Sequence, residues 1–232
     1  MSIAEKSGAL TMQQVLEKRS QHIAAADPVL SDDLFACNRL AAERHPESID
    51  VRIKKVIPLG GGAVSYVFEP VSGGVLPMFR AGQFIDVPLS VGDSRITRVY
   101  SLCSSPLQSR KGEYQIAVKR DIWASAFIQD NWKEGDTLNI SSPSGEFGFN
   151  PIRDAHNVIG IAGGSGITPF LSMARAICEG SEDFQLTLLY GCRTMEDRLF
   201  ADELDDIASK CSKFKVVYVL SEEKVEGFES GY

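Results

Sequence analysis

The pattern of apolar and polar positions divides the 232 residues into three stretches of different texture. In residues 1–48, apolar side chains recur at helical spacing. Thr11 and Gln14 form a capping box at the start of one helix, and Ser31 begins a second helix that runs to about Arg44. The stretch therefore predicts a helical hairpin, for which we favour a structural wrap on the next domain over a dedicated docking arm.

Short alternating runs of apolar and polar residues fill residues 49–152, and turn residues separate them. Alternation of this kind predicts half-buried strands, and this spacing of strands is typical of a small antiparallel barrel. The predicted strands are 51–57, 63–69, 83–89, 96–102, 114–119 and 137–141.

In residues 153–232, strand-length apolar runs alternate with helix-length amphipathic segments. This order is typical of a parallel α/β sheet. The predicted elements are strand 158–162, helix 169–179, strand 186–190, helix 197–210 and strand 215–220. The predicted fold class is thus an antiparallel β barrel followed by a parallel-sheet α/β domain, with an N-terminal helical hairpin.

Composition argues against several classes of protein: nucleic-acid binders, secreted or membrane proteins, and metalloproteins. The formal net charge of −7 argues against nucleic acid as a main partner, because phosphate backbones require clustered Lys and Arg. The N-terminus shows no secretory signal, and we expect no membrane span. Five scattered cysteines lack metal-ligand spacing, so we expect a reduced, cytoplasmic protein with no metal site and no iron–sulfur cluster of its own.

The most informative segment follows the strand at 158–162. Gly163, Gly164 and Gly166 make a glycine turn, Thr168 is a good helix N-cap, and Pro169 suits the first helical position. A glycine turn that opens a helix is a site for an anion such as a dinucleotide pyrophosphate. From this segment alone, a turn that only packs strand against helix is an equally good interpretation.

A second segment places Arg98 and Tyr100 on one face of a predicted strand, with Ser101 and Leu102 following. An arginine fork suits a phosphate, and a tyrosine ring suits a flat aromatic ligand. From these residues alone, the alternative is that Arg98 and Tyr100 only form contacts with a neighbouring strand at the surface and bind no ligand.

Together these segments resemble the ferredoxin–NADP⁺ reductase superfamily over roughly residues 50–232. The Arg98-x-Tyr100-Ser101-Leu102 run resembles its flavin-binding motif, and residues 163–169 are similar to its pyridine-nucleotide pyrophosphate loop. Other segments that match in the family's order are 81–84, 117–119, 135–138, 143–147 and 189–193.

The resemblance implies a role for each motif residue. Arg98 would bind the flavin phosphate or pyrophosphate, Tyr100 would lie against the isoalloxazine ring, and the Ser101 hydroxyl would lie near the hydride-accepting N5. Tyr100 and Ser101 are therefore the implied catalytic residues. The remaining cofactor-binding residues are Leu102, Val118, Lys119 and Ser125 for the flavin, and Gly163, Gly164, Gly166, Ile167, Thr168 and Arg193 for the nicotinamide dinucleotide.

The implied activity is that of an electron-transfer reductase. NAD(P)H would reduce a bound flavin, with FAD favoured over FMN, and the flavin would pass electrons to a separate redox protein such as an iron–sulfur protein. The alternative is a non-catalytic flavoprotein or an assembly subunit of a larger redox complex.

Three departures from the family qualify this expectation. The loop at 121–124 is shorter than in relatives, which leaves FMN as an alternative to FAD. Glu222 favours NADH because a carboxylate repels a 2′-phosphate, whereas Arg193 leaves NADPH open. The sequence ends at Tyr232, before further strands that relatives have, so we expect either a fragment, a partner chain that completes the nucleotide domain, or a nucleotide half that has lost its role.

Overall fold

The computed structural model describes residues 11–25 and 35–231. They fall into two compact units, one that ends at Glu43 and one that begins at Arg44. The division of the chain at 48/49 and 152/153 stays a prediction.

The first unit contains helices α1 (Met12–Ala25) and α2 (Ala36–Arg44). The predicted capping box is confirmed, because the Thr11 amide donates to Gln14 Oε1 at 2.9 Å and the Gln14 amide donates to Thr11 Oγ1 at 3.3 Å. The predicted helix start at Ser31 lies outside the described residues, and the hairpin stays a prediction.

An antiparallel, barrel-like sheet opens the second unit. Its strands are β1 (Ser48–Pro58), β2 (Ala63–Pro70), β3 (Phe84–Val91), β4 (Ser94–Ser101), β5 (Tyr114–Lys119) and β6 (Thr137–Ser141). Four strands pair in the order β5-β2-β1-β6, and β3 pairs with β4. A 3₁₀ helix (Pro106–Lys111) precedes β5, and helix α3 (Ala124–Asn131) follows it. The six predicted strands are confirmed. Alternation between a buried and a more exposed face is clear in β3, whereas β5 is buried over nearly its whole length.

A parallel sheet follows, in the order β10-β9-β8-β7. Its strands are β7 (Asn157–Gly163), β8 (Gln185–Cys192), β9 (Phe214–Leu220) and β10 (Glu229–Ser230), joined in part by helices α4 (Thr168–Cys178) and α5 (Ala201–Lys210). The two-residue strand β10 was not predicted. It is too short to show any periodicity in sequence.

The start of helix α5 differs from the prediction at Asp197. Phe200, just before the helix, has a φ of 59°, a conformation that a helix does not continue through. The Leu199 amide donates to the Tyr190 hydroxyl at 3.0 Å, and the Leu199 side chain is fully buried. Burial of Leu199 therefore holds the preceding loop outside the helix.

The barrel and the parallel sheet are joined by buried polar contacts from helix α4. Arg175 donates to the Cys103 carbonyl at 2.6 Å and to Gln115 Oε1 at 2.8 Å, and Ser172 donates to the Ser104 carbonyl at 2.6 Å. Buried hydrogen bonds of this kind are expensive to break. They fix the helix that follows the glycine turn against β5 and against the segment that directly follows β4, the strand that carries Arg98.

Gly82 lies at a second point where the barrel and helix α4 of the parallel-sheet domain pack closely together. It has a φ of +100°, and a Cβ there would collide with the Phe147 carbonyl oxygen and lie 2.9 Å from Met173 Cε. We expect Gly82→Ala to lower the free energy of unfolding by about 1–3 kcal/mol, as for other overpacked sites. Urea unfolding of the purified chain measures this loss.

Gly73→Ala is the matched control, because Gly73 has a φ of +72° and no atom within 4 Å of an added Cβ. It is expected to lose less stability than Gly82→Ala, since only the unfavourable φ remains. Equal losses for both variants would contradict the close packing at Gly82.

Candidate functional site

Several cavities lie where the barrel meets the parallel sheet, and three of them border the Arg98 motif or the glycine turn. We name them the Arg98 cavity (about 650 Å³), the Gly164 cavity (about 500 Å³) and the Ser101 cavity (about 320 Å³). Lys119, at the end of β5, and Ser165, in the glycine turn, line all three. The flavin-type and nucleotide-type motifs of the sequence therefore border one continuous region.

The Arg98 cavity is rich in cations. Its lining includes Arg98, Lys119, Arg120 and Arg193, together with Ser125 in the first turn of α3. The Ser125 hydroxyl accepts a hydrogen bond from the Asp121 amide at 2.9 Å, which fixes the loop before the helix. Guanidinium and ammonium groups beside a helix start form a donor set that fits a phosphate.

Among these cations, Arg98 is the one that lies in no ion pair within the described residues. Arg120 forms a two-pronged pair with Asp130, and Lys119 and Arg193 both contact Asp197. The Arg98 guanidinium instead lies 5.9 Å from the ring centroid of Trp123 and donates to the Thr97 carbonyl at 3.0 Å. Its charge is available for an anionic ligand.

Trp123 holds an unusual backbone conformation next to Arg98. Its φ is 59°, which is rare for a bulky residue, and it immediately precedes helix α3. Strained backbone of this kind collects at binding sites, where the surrounding structure maintains it. The short loop at 121–124 thus places an aromatic ring beside Arg98, although Trp123 itself does not line the Arg98 cavity.

The Ser101 cavity joins the two motifs directly. Tyr100 and Ser101 of β4 form one wall, and Gly166 and Thr168 form the opposite wall. Tyr100 is half-buried, and burial raises the pKa of its hydroxyl, although the Arg98 charge opposes this. A half-buried tyrosine that stays protonated offers a flat, uncharged surface to an aromatic ring.

The glycine turn continues from β7 into a short 3₁₀ helix (Gly164–Ile167) and then into α4. Gly164 has a φ of +51°, which glycine adopts readily, and its carbonyl accepts a hydrogen bond from the Tyr190 hydroxyl at 3.1 Å. The prediction that Thr168 caps the helix is wrong. Thr168 is the first residue of α4, and its hydroxyl donates to the Ser165 carbonyl at 3.1 Å, which tightens the turn instead.

The Gly164 cavity extends from the glycine turn to the carboxyl ends of β8 and β9, and Arg193 and Asp197 lie at its edge. Arg193 Nε lies 3.0 Å from Asp197 Oδ2, and Arg193 Nη2 lies 3.2 Å from Asp197 Oδ1. Lys119 Nζ lies 3.3 Å from the same Oδ1. These partners, Arg193 first, lower the pKa of the buried Asp197 carboxyl, so it stays ionised.

Three predicted binding residues do not line the cavities. Leu102, Val118 and Ile167 are fully buried, the first two in the barrel core and the third in the core of the parallel sheet. Val118 is expected to contact the flavin through its backbone, which burial of its side chain does not test, and Leu102 directly follows the cavity residue Ser101 in the chain. Their roles as cofactor-binding residues stay predictions.

The sequence analysis missed other residues at the site. Ser165 has no role of its own in the sequence analysis, and Asp197 is there only the first residue of a predicted helix. No local pattern marks Asp197, because its partner Lys119 is 78 positions away in the chain. The turn at Gly60–Gly62 also lies at the site, since a Cβ on Gly61 would lie 2.8 Å from Asp197 Oδ1.

Comparison with known domain families agrees with this geometry. Residues 75–149 match the oxidoreductase FAD-binding domain, and residues 161–232 match the oxidoreductase NAD-binding domain. The chain belongs to the ferredoxin–NADP⁺ reductase-like family. The resemblance inferred from the motifs is confirmed, and the chain carries the family's FAD-binding and NAD-binding oxidoreductase domains.

Individual relatives include oxygenase reductases and flavohemoproteins. The chain is 35% identical over 161 residues to the carnitine monooxygenase reductase subunit of Escherichia coli, a match that covers 68% of this chain and 48% of the relative. It is 31% identical over 160 residues to a flavohemoprotein of Bacillus subtilis, covering 68% of this chain and 39% of the relative. The chain therefore spans about two-fifths to one-half of these relatives.

Solved structures show the same fold. Phthalate dioxygenase reductase matches with a TM-score of 0.65 at 32% identity, over 78% of this chain and 54% of that structure. The FAD/NAD-binding domain of nitric oxide dioxygenase from Vibrio cholerae matches with a TM-score of 0.72 at 22% identity, over 80% and 79%. Within residues 11–25 and 35–231, no helix is long and apolar enough to cross a membrane.

The Arg98 guanidinium, which lies in no ion pair within the described residues, generates a testable prediction for flavin binding. A charge-assisted hydrogen bond is worth about 1.5–3 kcal/mol, which corresponds to roughly ten- to a hundredfold in affinity. We expect Arg98→Ala to purify largely without flavin, as measured by the ratio of absorbance at 450 nm to that at 280 nm.

Arg95→Ala is the control, because Arg95 lies on the same strand, is also exposed and lines none of the three cavities. It is expected to keep its flavin. An Arg98→Ala protein as yellow as the parent would remove Arg98 from the flavin site.

Proposed function

We propose that this chain is a reductase module in which a nicotinamide dinucleotide reduces a bound flavin, and the flavin passes electrons to a separate redox protein. The observation that carries the proposal is the Ser101 cavity, where β4 of the FAD-binding domain faces the glycine turn of the NAD-binding domain. When bound, the flavin supplies hydride acceptance and the release of electrons one at a time.

The chain's own residues position the cofactors in this proposal. Arg98 and Ser125 hold the flavin phosphate, Tyr100 supports the ring, and the Ser101 hydroxyl lies beside the reacting edge. Gly163, Gly164, Gly166 and Thr168 hold the dinucleotide on the other wall. The proposed contribution to rate is orientation, because two stacked rings at reacting distance need no acid–base group from the protein.

A protein acceptor is supported by the nature of the relatives. The carnitine monooxygenase reductase subunit of Escherichia coli and a glycine betaine monooxygenase reductase subunit of Pseudomonas aeruginosa are reductases of this kind, and phthalate dioxygenase reductase transfers electrons from pyridine nucleotides to [2Fe–2S]. We propose an acceptor of the same class, an iron–sulfur protein. Among the described residues no group of three or more His, Cys, Asp or Glu side chains is arranged to hold a metal.

The alternative function is a non-catalytic flavoprotein or assembly subunit. The sheet order supports it, because β7 is an edge strand and its Ile159 and Ile161 side chains are 71% and 76% exposed. Exposed apolar residues on an edge strand favour association with another chain segment.

Anaerobic reduction of a [2Fe–2S] ferredoxin by NADH and the flavin-loaded chain separates these functions. We expect the cluster absorbance to bleach at a rate that depends on the chain. Ferricyanide serves as the control acceptor, since it accepts electrons from most reduced flavins. Ferricyanide reduction without cluster reduction would contradict the acceptor class, and no reduction of either would favour the non-catalytic alternative.

Glu222 tests the proposed preference for NADH. It follows β9, its amide donates to the Arg193 carbonyl at 2.9 Å, and its charge acts on Arg193, which lines the Gly164 cavity. We expect Glu222→Arg to raise the ratio of kcat/KM for NADPH to that for NADH by at least fivefold, because an arginine attracts a 2′-phosphate. Glu226→Arg, a charge reversal in the same loop, is the control. A ratio unchanged in Glu222→Arg would remove Glu222 from nucleotide selection.

A further inference from the structure

The Arg193–Asp197 pair is a feature that cofactor binding does not by itself require. Arg193 lies at the edge of the Gly164 cavity, next to the carboxyl ends of β8 and β9. Ser221, which follows β9, lines the cavity at the same place. In doubly wound α/β sheets, ligands bind outside the carboxyl ends of the strands, and an arginine there accommodates the 2′-phosphate of NADPH. Arg193 is thus placed to select between the two nucleotides.

The guanidinium of Arg193 is, however, already occupied. Its Nε and Nη2 atoms contact the two carboxylate oxygens of Asp197 at 3.0 and 3.2 Å. Two-pronged pairs between arginine and a carboxylate are among the strongest charge-assisted contacts in proteins. The charge of Glu222 further stabilises the cationic form of Arg193, as the direction of its pKa shift indicates.

Asp197 is itself firmly held. It is 6% exposed, and its amide donates to Thr194 Oγ1 at 3.3 Å. Lys119 contacts it from the barrel, and the turn at Gly61 leaves room for its carboxylate. Arg193, in contrast, has a side chain that is 62% exposed, so it is the partner that moves if the pair is broken.

We propose that Asp197 is a specificity-determining residue: by binding the Arg193 fork, it withholds that cation from a 2′-phosphate and so favours NADH over NADPH. Asp197 acts through Arg193 and is a positioning residue. This inference rests on the proposed use of a nicotinamide dinucleotide. It assigns nucleotide selection to a carboxylate that binds no part of the nucleotide.

Equilibrium binding tests the proposal without any hydride transfer. The probes are 5′-ADP and 2′,5′-ADP, which differ by the 2′-phosphate, titrated calorimetrically into the flavin-loaded full chain. We expect Asp197→Asn to raise the affinity for 2′,5′-ADP relative to 5′-ADP at least tenfold, because the Arg193 fork becomes free. The gain is expected to shrink at 0.5 M salt, since the new contact is exposed.

A double variant shows whether the gain comes from Arg193. In Asp197→Asn/Arg193→Gln the relative affinity is expected to return to within threefold of the parent value. A gain that persists in the double variant would overturn the proposal, and so would a ratio in Asp197→Asn within twofold of the parent. A merely structural role of Asp197 predicts an unchanged ratio, because loss of structure weakens both probes alike.

Asp154→Asn is the matched control. Asp154 forms an equally two-pronged pair with Arg153, at 2.6 and 2.8 Å, and lines none of the three cavities. Its ratio of probe affinities is expected to equal that of the parent. A shift as large as that of Asp197→Asn would show a general effect of net charge and would overturn the proposal.

Arg193→Gln alone tests the same claim if Asp197→Asn does not fold. Because the fork is already bound to Asp197, its loss is expected to lower the affinity for 2′,5′-ADP less than threefold. A tenfold loss would mean that Arg193 already serves the phosphate, and would overturn the proposal. A parent chain that binds neither probe contradicts the proposed function itself, whereas a parent that binds 5′-ADP with an unshifted variant ratio contradicts only the role of Asp197.

Discussion

The buried contacts of Arg175 are the constraint on which the candidate site depends. The Arg175 side chain is 12% exposed and joins Glu203 of α5 to the Cys103 carbonyl and the Gln115 side chain of the barrel half. A buried arginine is stable only when its donors are satisfied, so this arrangement has few alternatives. Because Arg175 lies about two turns into helix α4, its contacts also position the glycine turn at the helix N-terminus relative to Tyr100 and Ser101.

A second constraint is that the cations around the Arg98 cavity must be balanced by nearby carboxylates. An anion-binding region needs cations, but unpaired cations held close together repel one another. Most of those around the Arg98 cavity are paired with a carboxylate, either Asp130 or Asp197. Arg98 is left for a ligand. Which cation faces a phosphate is therefore decided by the carboxylates around it.

Much of the fold was predictable because its signals are local. Alternation along each strand of the barrel, and the change to strand–helix order after residue 152, need no knowledge of distant residues. The features that were missed depend on tertiary contacts. Helix α5 starts late because Leu199 is drawn into the core, and Thr168 bonds to Ser165 because the chain forms a 3₁₀ turn first.

The candidate site was predictable in its motifs and less so in its geometry. Arg98, Tyr100 and Ser101 border the same region as Gly166 and Thr168, as the family resemblance implied. Asp197 could not be predicted as a site residue, because its role depends on contacts with Arg193 and with Lys119 of the FAD-binding domain, and no local sequence pattern shows these contacts. Sequence motifs identify groups that contact ligands, whereas groups that restrain those contacts are found only in three dimensions.

The most direct test of the account is an anaerobic titration of the flavin-loaded chain with NADH, followed by NADPH, with the flavin absorbance as the readout. Because the Ser101 cavity brings the FAD-binding and NAD-binding domains together, the account predicts that NADH bleaches the flavin and that NADPH does so less efficiently. A flavin that is tightly held and stays oxidised with both nucleotides would contradict the proposed hydride transfer in this chain.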